Sequence, residues 1–147
     1  MSVTITKKEV FKLNKNLRMH KVLNDIADVF VKDIKNGIEN LSEDINGVGF
    51  TPLSTFTKNY KNKKGYSYPS KPLYAEGKMK NVYVKQRATQ TKKEAIVASN
   101  ERDRAGIGAK HQEGKDVPQR QWFGISKRTN KPITKVARHH IKKALMK

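Results

Sequence analysis

One long amphipathic segment, residues 20–41, constrains the fold of this chain more than any other feature. Its apolar side chains recur at intervals of three and four residues, which is the spacing of one face of an α-helix. They are Leu23, Ile26, Ala27, Phe30, Ile34, Ile38 and Leu41. Only 35% of the residues are hydrophobic. We therefore expect this stripe to form the centre of the core, with a surface for a partner helix as the alternative.

The length and the residue types exclude several classes of protein. A chain of 147 residues suits one domain, which we place at 1–147 with residues 1–19 as an N-terminal arm. No apolar run approaches the ~20 residues of a transmembrane helix, and residues 1–11 contain no apolar signal segment. The absence of Cys excludes a disulfide framework and a cysteine nucleophile. We expect a soluble, basic protein without a membrane partner.

An irregular region that contains an exposed basic loop follows the amphipathic stripe. Glycines and prolines interrupt residues 42–72, which predicts irregular structure there. Within it, residues 56–70 read as an exposed basic loop that carries Tyr60, Tyr66 and Tyr68. Aromatic side chains among lysines can stack on bases, and the same loop could equally become ordered beneath a protein partner.

The remaining regular elements are short strands and a second helix. Residues 81–87 and 94–99 read as strands, and the polar residues 89–93 join them as a hairpin. Residues 131–146 read as a helix with a basic face and with Pro132 in its first turn. The predicted fold class is α+β: an antiparallel sheet packed with an N-terminal amphipathic helix and a C-terminal basic helix, with a long irregular loop in between.

The positive charge is concentrated in the second part of the chain. Residues 1–57 carry 8 basic and 7 acidic side chains, whereas residues 58–147 carry 24 and 6, and the whole chain has a formal charge of +19. This asymmetry predicts contact with a polyanion or an acidic protein surface; a lysine-rich surface that only aids solubility is the alternative. The residues that we predict as contacts to DNA or to an acidic partner are Lys58, Lys61, Lys63, Lys64, Lys78 and Lys80.

No spacing of residues indicates catalysis. His111 and Glu113 lie two apart, but a metal site needs at least three convergent ligands. Gly106 and Gly108 lack the remaining residues of a dinucleotide or phosphate loop. A two-metal nuclease needs several carboxylates brought together, and the basic part of the chain holds only six. We expect no catalytic residue, no metal and no cofactor.

The most specific pattern lies at residues 111–126. Its members are His111, Gln112, Gly114, Pro118, Arg120, Trp122, Phe123, Gly124, Ile125 and Ser126. Gly114 permits a tight turn, Pro118 stiffens the chain that follows, and the aromatic pair suits burial. Arg120 stands among neutral polar residues, so if covered it needs a carboxylate or a backbone carbonyl as its partner.

This segment resembles the signature of the phage virion morphogenesis family, the tail completion proteins of tailed bacteriophages. In that family a His-Gln-x-Gly element precedes a Pro-x-Arg-x-Phe-Gly element. This chain departs from the second element at Gln121-Trp122, where two residues stand between Arg and Phe in place of one. Two upstream elements resemble the family in the same order. They are Phe50, Pro52 and Leu53, then Leu73, Gly77 and Met79. The ordered set covers most of residues 20–145, and the basic loop is a further departure.

The resemblance implies a structural role without catalysis or a cofactor. Such proteins finish the tail or neck, generally as a ring of identical subunits at the head-proximal end of the tail. It implies location at the head–tail junction of the virion, and in the host cytoplasm during assembly. The implied partners are other copies of the chain, other neck and tail proteins, and DNA in the lumen. The matched residues would then be determinants of the fold or of subunit contacts. The alternative is a non-catalytic basic nucleic-acid-binding protein.

Overall fold

The computed structural model describes residues 2–6, 17–75, 78–99 and 106–146, and for residues 3–6 and 78 it describes the backbone only. The strands are β1 (Ser2–Thr6), β2 (Val82–Gln86) and β3 (Glu94–Ser99). The α-helices are α1 (Met19–Asn36), α2 (Thr55–Lys63), α3 (Ile107–Glu113) and α4 (Lys127–Leu145). A π turn (Gly37–Leu41) continues α1, and a 3₁₀ turn (Lys78–Lys80) precedes β2. The predicted α+β class is confirmed.

The sheet is antiparallel and has the order β1-β3-β2. The predicted hairpin is confirmed, with Val82 opposite Ser99 and Val84 opposite Val97, and an irregularity follows Val84. Residues 2–6, which the sequence places in an N-terminal arm, pair with β3 as an edge strand. The N-terminal arm thus contributes an edge strand to the sheet, and residues 7–16 lie outside the described part of the chain.

Helix α1 is the centre of the packing. It lies against β2 and β3 and against α4, and it contributes seven buried residues, including Leu23, Ile26 and Phe30. The predicted stripe is buried except at Leu41, which is 45% exposed. The π turn explains this exception, because each residue in it advances the helix by a smaller angle than in an α-helix. Leu41 therefore falls out of phase with the stripe.

The segment predicted as an exposed loop, residues 56–70, begins with a helix. Ser54 starts α2 by accepting a hydrogen bond from the backbone N–H of Thr57 at 3.2 Å, a common N-cap. The helix has no buried apolar face, since its one buried side chain is that of Lys61. Hydrophobic periodicity therefore could not reveal it. The prediction of a loop is wrong up to Lys63, and the rest of the segment is irregular as expected.

Helix α4 begins four residues earlier than predicted. Residues 126–130 form its N-cap and first turn, where the Thr129 hydroxyl accepts a hydrogen bond from the Ser126 N–H at 2.7 Å. Pro132 consequently lies inside the helix and not in the first turn. Its missing N–H leaves the carbonyl of Arg128 without the usual intrahelical donor.

Aromatic packing joins α1 to the C-terminal half of the chain. The rings of Phe30 and Phe123 meet edge to face, with centroids 5.8 Å apart, and Trp122 lies against Phe123 at 5.5 Å. All three are buried. The aromatic pair of the 111–126 pattern is therefore part of the core.

Replacing Phe30 tests the central position of α1. We expect Phe30→Ala to lower the free energy of unfolding by about 3–5 kcal/mol, because a fully buried ring is removed. Phe56→Ala is the matched control: Phe56 is 82% exposed, so we expect a change within about 0.5 kcal/mol. Urea titrations followed by circular dichroism measure both. Equal losses in the two variants would contradict the assignment of the core.

Candidate functional site

Arg120 is a buried cation held by uncharged acceptors. It is 3% exposed. Its Nε and Nη2 donate to the carbonyl of Thr51 at 2.9 and 2.8 Å, and Nη2 lies 3.4 Å from the carbonyl of Pro52. Nη1 contacts the Nδ1 of His111 at 3.1 Å and the Pro118 carbonyl at 3.4 Å. Of the two partners that the sequence allows, the structure uses backbone carbonyls, and burial lowers the pKa of Arg120.

The contact with Arg120 determines the tautomer of His111. A guanidinium nitrogen can only donate, so Nδ1 of His111 must accept and cannot carry a proton. A backbone hydrogen bond joins the same two residues, since the Arg120 N–H donates to the His111 carbonyl at 2.7 Å. The end of α3 and the irregular segment 118–123 are thus fixed to each other.

Gln112 binds the backbone of the aromatic pair. Its side-chain oxygen accepts from the N–H of Trp122 at 3.1 Å and of Phe123 at 3.2 Å, and its amide group donates to the Phe123 carbonyl at 2.9 Å. The indole N–H of Trp122 donates to the carbonyl of Gly108 at 3.0 Å. We call Arg120, His111, Gln112, Trp122 and the Thr51 carbonyl the Arg120 cluster.

Two glycines of the pattern are required by the backbone around the cluster. Gly114 ends α3 with φ = 75°, and a Cβ there would lie 3.0 Å from the Cβ of Gln119. Gly124 has φ = 142°, and a Cβ there would lie 3.3 Å from the side chain of Ile45. Both conformations favour glycine. These positions are explained by chain geometry, without a ligand.

The structure brings two of the three resemblance elements together. Pro52 is exposed and Leu53 half-buried, but the backbone of residues 51–52 carries the acceptors for Arg120. Phe50 is buried in the core. In the remaining element, residues 73–79, Leu73 is buried and Met79 packs partly buried against the same core. Gly77 lies outside the described residues.

A second arginine, which sequence reasoning missed, braces the same region. Arg128 donates from Nε to the Asp44 carbonyl and from Nη1 to the Asp33 carbonyl, both at 2.9 Å. Its Nη1 is also 3.1 Å from the Asp33 carboxylate, an ion pair without hydrogen-bond alignment. Burial raises the pKa of Asp33, and the nearby guanidinium works against that shift. A Cβ on Gly37 would collide with Arg128. A glycine inside a predicted helix was therefore the one sequence feature that indicated a close contact at this place.

Lys61, predicted as a contact to DNA or an acidic partner, is instead an internal support. It is 6% exposed. Its ammonium group donates to the carbonyls of Tyr68, Lys71 and Tyr74 at 3.2, 2.7 and 2.6 Å, which uses all three of its protons. Burial lowers the pKa of Lys61. The prediction of a surface contact at this residue is wrong.

The other predicted lysines differ in their availability. Lys80 donates to the Glu39 carboxylate at 2.8 Å, and this bond raises the pKa of Lys80 and lowers that of Glu39. The side chain of Lys78 lies outside the described residues. Of the remaining three, Lys63 and Lys64 are exposed and Lys58 is half-buried, so for them contact with a polyanion stays a prediction.

A three-ligand metal site and a membrane-spanning helix are both absent from the described residues. Among them, no three His, Asp or Glu side chains are grouped so that they could hold a metal ion. None of the helices in the described ranges is long and apolar enough to cross a membrane. No protein-family model, curated protein or solved structure matches this chain. The relation to tail completion proteins stays a prediction from the ordered sequence elements.

Removing the Arg120 side chain tests the cluster. We expect Arg120→Ala to lower the free energy of unfolding by about 3 kcal/mol or more, because it removes a buried side chain together with its hydrogen bonds to the Thr51 carbonyl and His111 Nδ1. Arg120→Lys should recover only part of this loss, since an ammonium cannot reproduce the planar fork. Arg138→Ala, at an exposed position on α4, is the control and should change stability by less than about 0.5 kcal/mol. Urea unfolding that ranks Arg120→Ala with the control would refute the cluster.

Chymotrypsin digestion tests the support provided by Lys61. We expect Lys61→Met to release residues 66–75, because three carbonyls lose their donor, and cleavage after Tyr66 and Tyr74 should accelerate severalfold. Lys63→Met changes an exposed lysine two residues away and should leave the cleavage rate unchanged. The time course is followed by mass spectrometry of the fragments. Unchanged cleavage in Lys61→Met would show that the segment does not depend on this ammonium group.

Proposed function

We propose that this protein is a structural virion component of a tailed bacteriophage, a tail completion or neck protein that acts as a ring-forming subunit at the head-proximal end of the tail. The observation that carries the proposal is the Arg120 cluster. It joins the first and last of the three resemblance elements, residues 50–53 and 111–124, which lie far apart in the chain. Two of the three ordered sequence elements are therefore also neighbours in space.

The chemistry of the cluster supports a scaffold role. The side chains of Arg120 and Gln112 bind main-chain atoms on either side of them, and the indole N–H of Trp122 does the same. Groups engaged in this way hold segments at fixed positions but are not free to attack or protonate a substrate. A rigid subunit without a reaction centre is what a neck or tail component requires.

An exposed aromatic pair supports contacts between copies of the chain. Phe56 and Tyr60 are 82% and 51% exposed, and their spacing of four residues places them on one face of α2. Aromatic side chains are enriched at the centres of protein interfaces. Lys58, Lys63 and Lys64 would surround such a contact as a polar rim. A neighbouring subunit is the occupant that a ring would place there.

The alternative function is that of a non-catalytic basic nucleic-acid-binding protein. The specific observation that favours it is the row of exposed basic side chains on α4, which has no acidic residue along its length. The two functions differ in where the protein is found. A virion component stays in the purified particle, whereas a free nucleic-acid binder stays in the infected cell.

Immunogold electron microscopy of purified particles from the source culture tests the proposal. We expect label at the head–tail junction, and the chain should appear in the particle proteome in a fixed ratio to the other tail proteins. Pre-immune serum on the same grids is the control for nonspecific label. Absence of the chain from both measurements would overturn the virion role and leave the nucleic-acid binder as the better account.

A further inference from the structure

The basic side chains of the described residues fall into two groups. Those of the first group are engaged within the fold: Arg87 binds Asp28 through two nitrogens at 2.7 and 3.1 Å, Lys80 binds Glu39, and Lys61 is buried. A cation already neutralised by a carboxylate adds little to the field that an approaching polyanion experiences. The second group, which is free to act, is concentrated on α4.

Five side chains form a row on the exposed face of α4, which we call the α4 stripe. They are Lys127, Lys131, Lys135, Arg138 and Lys142. Their separations of three and four residues place them on one side of the helix, and all are exposed. None forms an ion pair with another described residue. The opposite side of the helix packs on the core through Ile133, Val136 and Ala137, so the stripe must face outward.

We propose that the α4 stripe binds the phosphate backbone of double-stranded DNA without sequence preference. This inference deepens the proposed function and rests on it for its setting, a subunit beside the DNA that passes through the neck. It also places the contact with DNA on a different part of the chain from the one that the sequence predicted. The lysines that the sequence singled out lie at 58–80, whereas the stripe lies near the C-terminal end of the chain.

The dimensions and the neutral donors of this face suit a duplex backbone. From Lys127 to Lys142 the helix rises about 22 Å, and duplex DNA carries one negative charge per about 1.7 Å of its axis. Four residues of the stripe line a shallow depression of about 390 Å³ together with Asn130 and Thr134. Amide and hydroxyl groups beside lysines are common donors to phosphate oxygens.

The composition of this face argues against the other occupants. Interfaces with proteins are depleted of Lys and enriched in aromatic residues at their centres, which is the reverse of the stripe. Single-stranded nucleic acid is held by aromatic stacking platforms, and α4 contains no Phe, Tyr or Trp. A surface of uniform charge with hydrogen-bond donors and without rings fits the backbone of a duplex.

Two triple variants with the same loss of charge test the proposal. The first, Lys131→Gln, Lys135→Gln and Arg138→Gln, removes three charges from the stripe and keeps good helix formers. The control, Lys58→Gln, Lys63→Gln and Lys64→Gln, removes three charges at α2, of which those of Lys63 and Lys64 are exposed and that of Lys58 is half-buried. Fluorescence anisotropy measures binding to a labelled mixed-sequence duplex over a range of salt concentrations. Circular dichroism verifies that both variants are folded.

The slope of log affinity against log salt concentration gives the answer. At about −0.9 per phosphate contact, we expect roughly −4.5 for the wild type, about −1.8 for the stripe variant and an unchanged slope for the control. Equal slopes in the two variants, or no binding by the wild type at ~50 mM salt, would overturn the proposal. Displacement of the duplex by polyglutamate at equal charge concentration, or preference for single strands, would overturn it in favour of an acidic protein or single-stranded partner.

The binding test and the particle test fail separately. Loss of DNA binding would remove the role of the stripe while the chain could still be found at the head–tail junction. Duplex binding through the stripe by a chain that is absent from particles would overturn the virion role and leave the stripe intact.

Discussion

The burial of the Arg120 guanidinium is the constraint on which the rest of this structure depends. A cation taken out of water requires hydrogen-bond acceptors in fixed places. Here they are the carbonyls of Thr51 and Pro52, which are distant in sequence, the nearby Pro118 carbonyl and a ring nitrogen of His111. The three carbonyls belong to segments without helix or strand, whereas His111 lies near the end of α3. The guanidinium therefore does for these loops what a sheet does for strands, because it gives their carbonyls a partner.

Buried basic groups recur as a way of organising irregular chain in this protein. Lys61 collects three carbonyls of residues 68–74, and Arg128 holds Asp44 against the end of α1. A chain with 32 basic residues and only 35% hydrophobic residues has few apolar side chains to place in such loops. A long cationic side chain offers an alternative, since its methylene groups fill space and its charged end satisfies several carbonyls. Part of the high positive charge is therefore structural.

The elements that could be predicted are those in which hydrophobic periodicity decides the structure. The stripe of α1 and the hairpin at 82–99 bury side chains at regular intervals, and both were found with nearly correct boundaries. Helix α2 was missed because a capping serine and a buried lysine support it in place of an apolar face. The side chains of the Arg120 cluster could be recognised as a sequence pattern. The acceptors of Arg120 could not, because every residue has a backbone carbonyl and nothing in the sequence distinguishes those at 51 and 52. Contacts made by backbone atoms are the part that side-chain patterns cannot reveal.

The division between buried and exposed cations changes how the net charge bears on function. Net charge summed over a sequence treats Lys61 and Arg120 as equal to Lys131, although the first two are enclosed and the third faces solvent. The field outside the protein is dominated by the exposed cations that lack a carboxylate neighbour, because ion pairs largely cancel at a distance. On α4 these cations lie in a row on a rigid helix anchored to the core. Within residues 58–80, several lysines are engaged in contacts that hold the fold together. The face best placed to attract a polyanion is therefore the exposed face of α4, whose opposite side packs on the core.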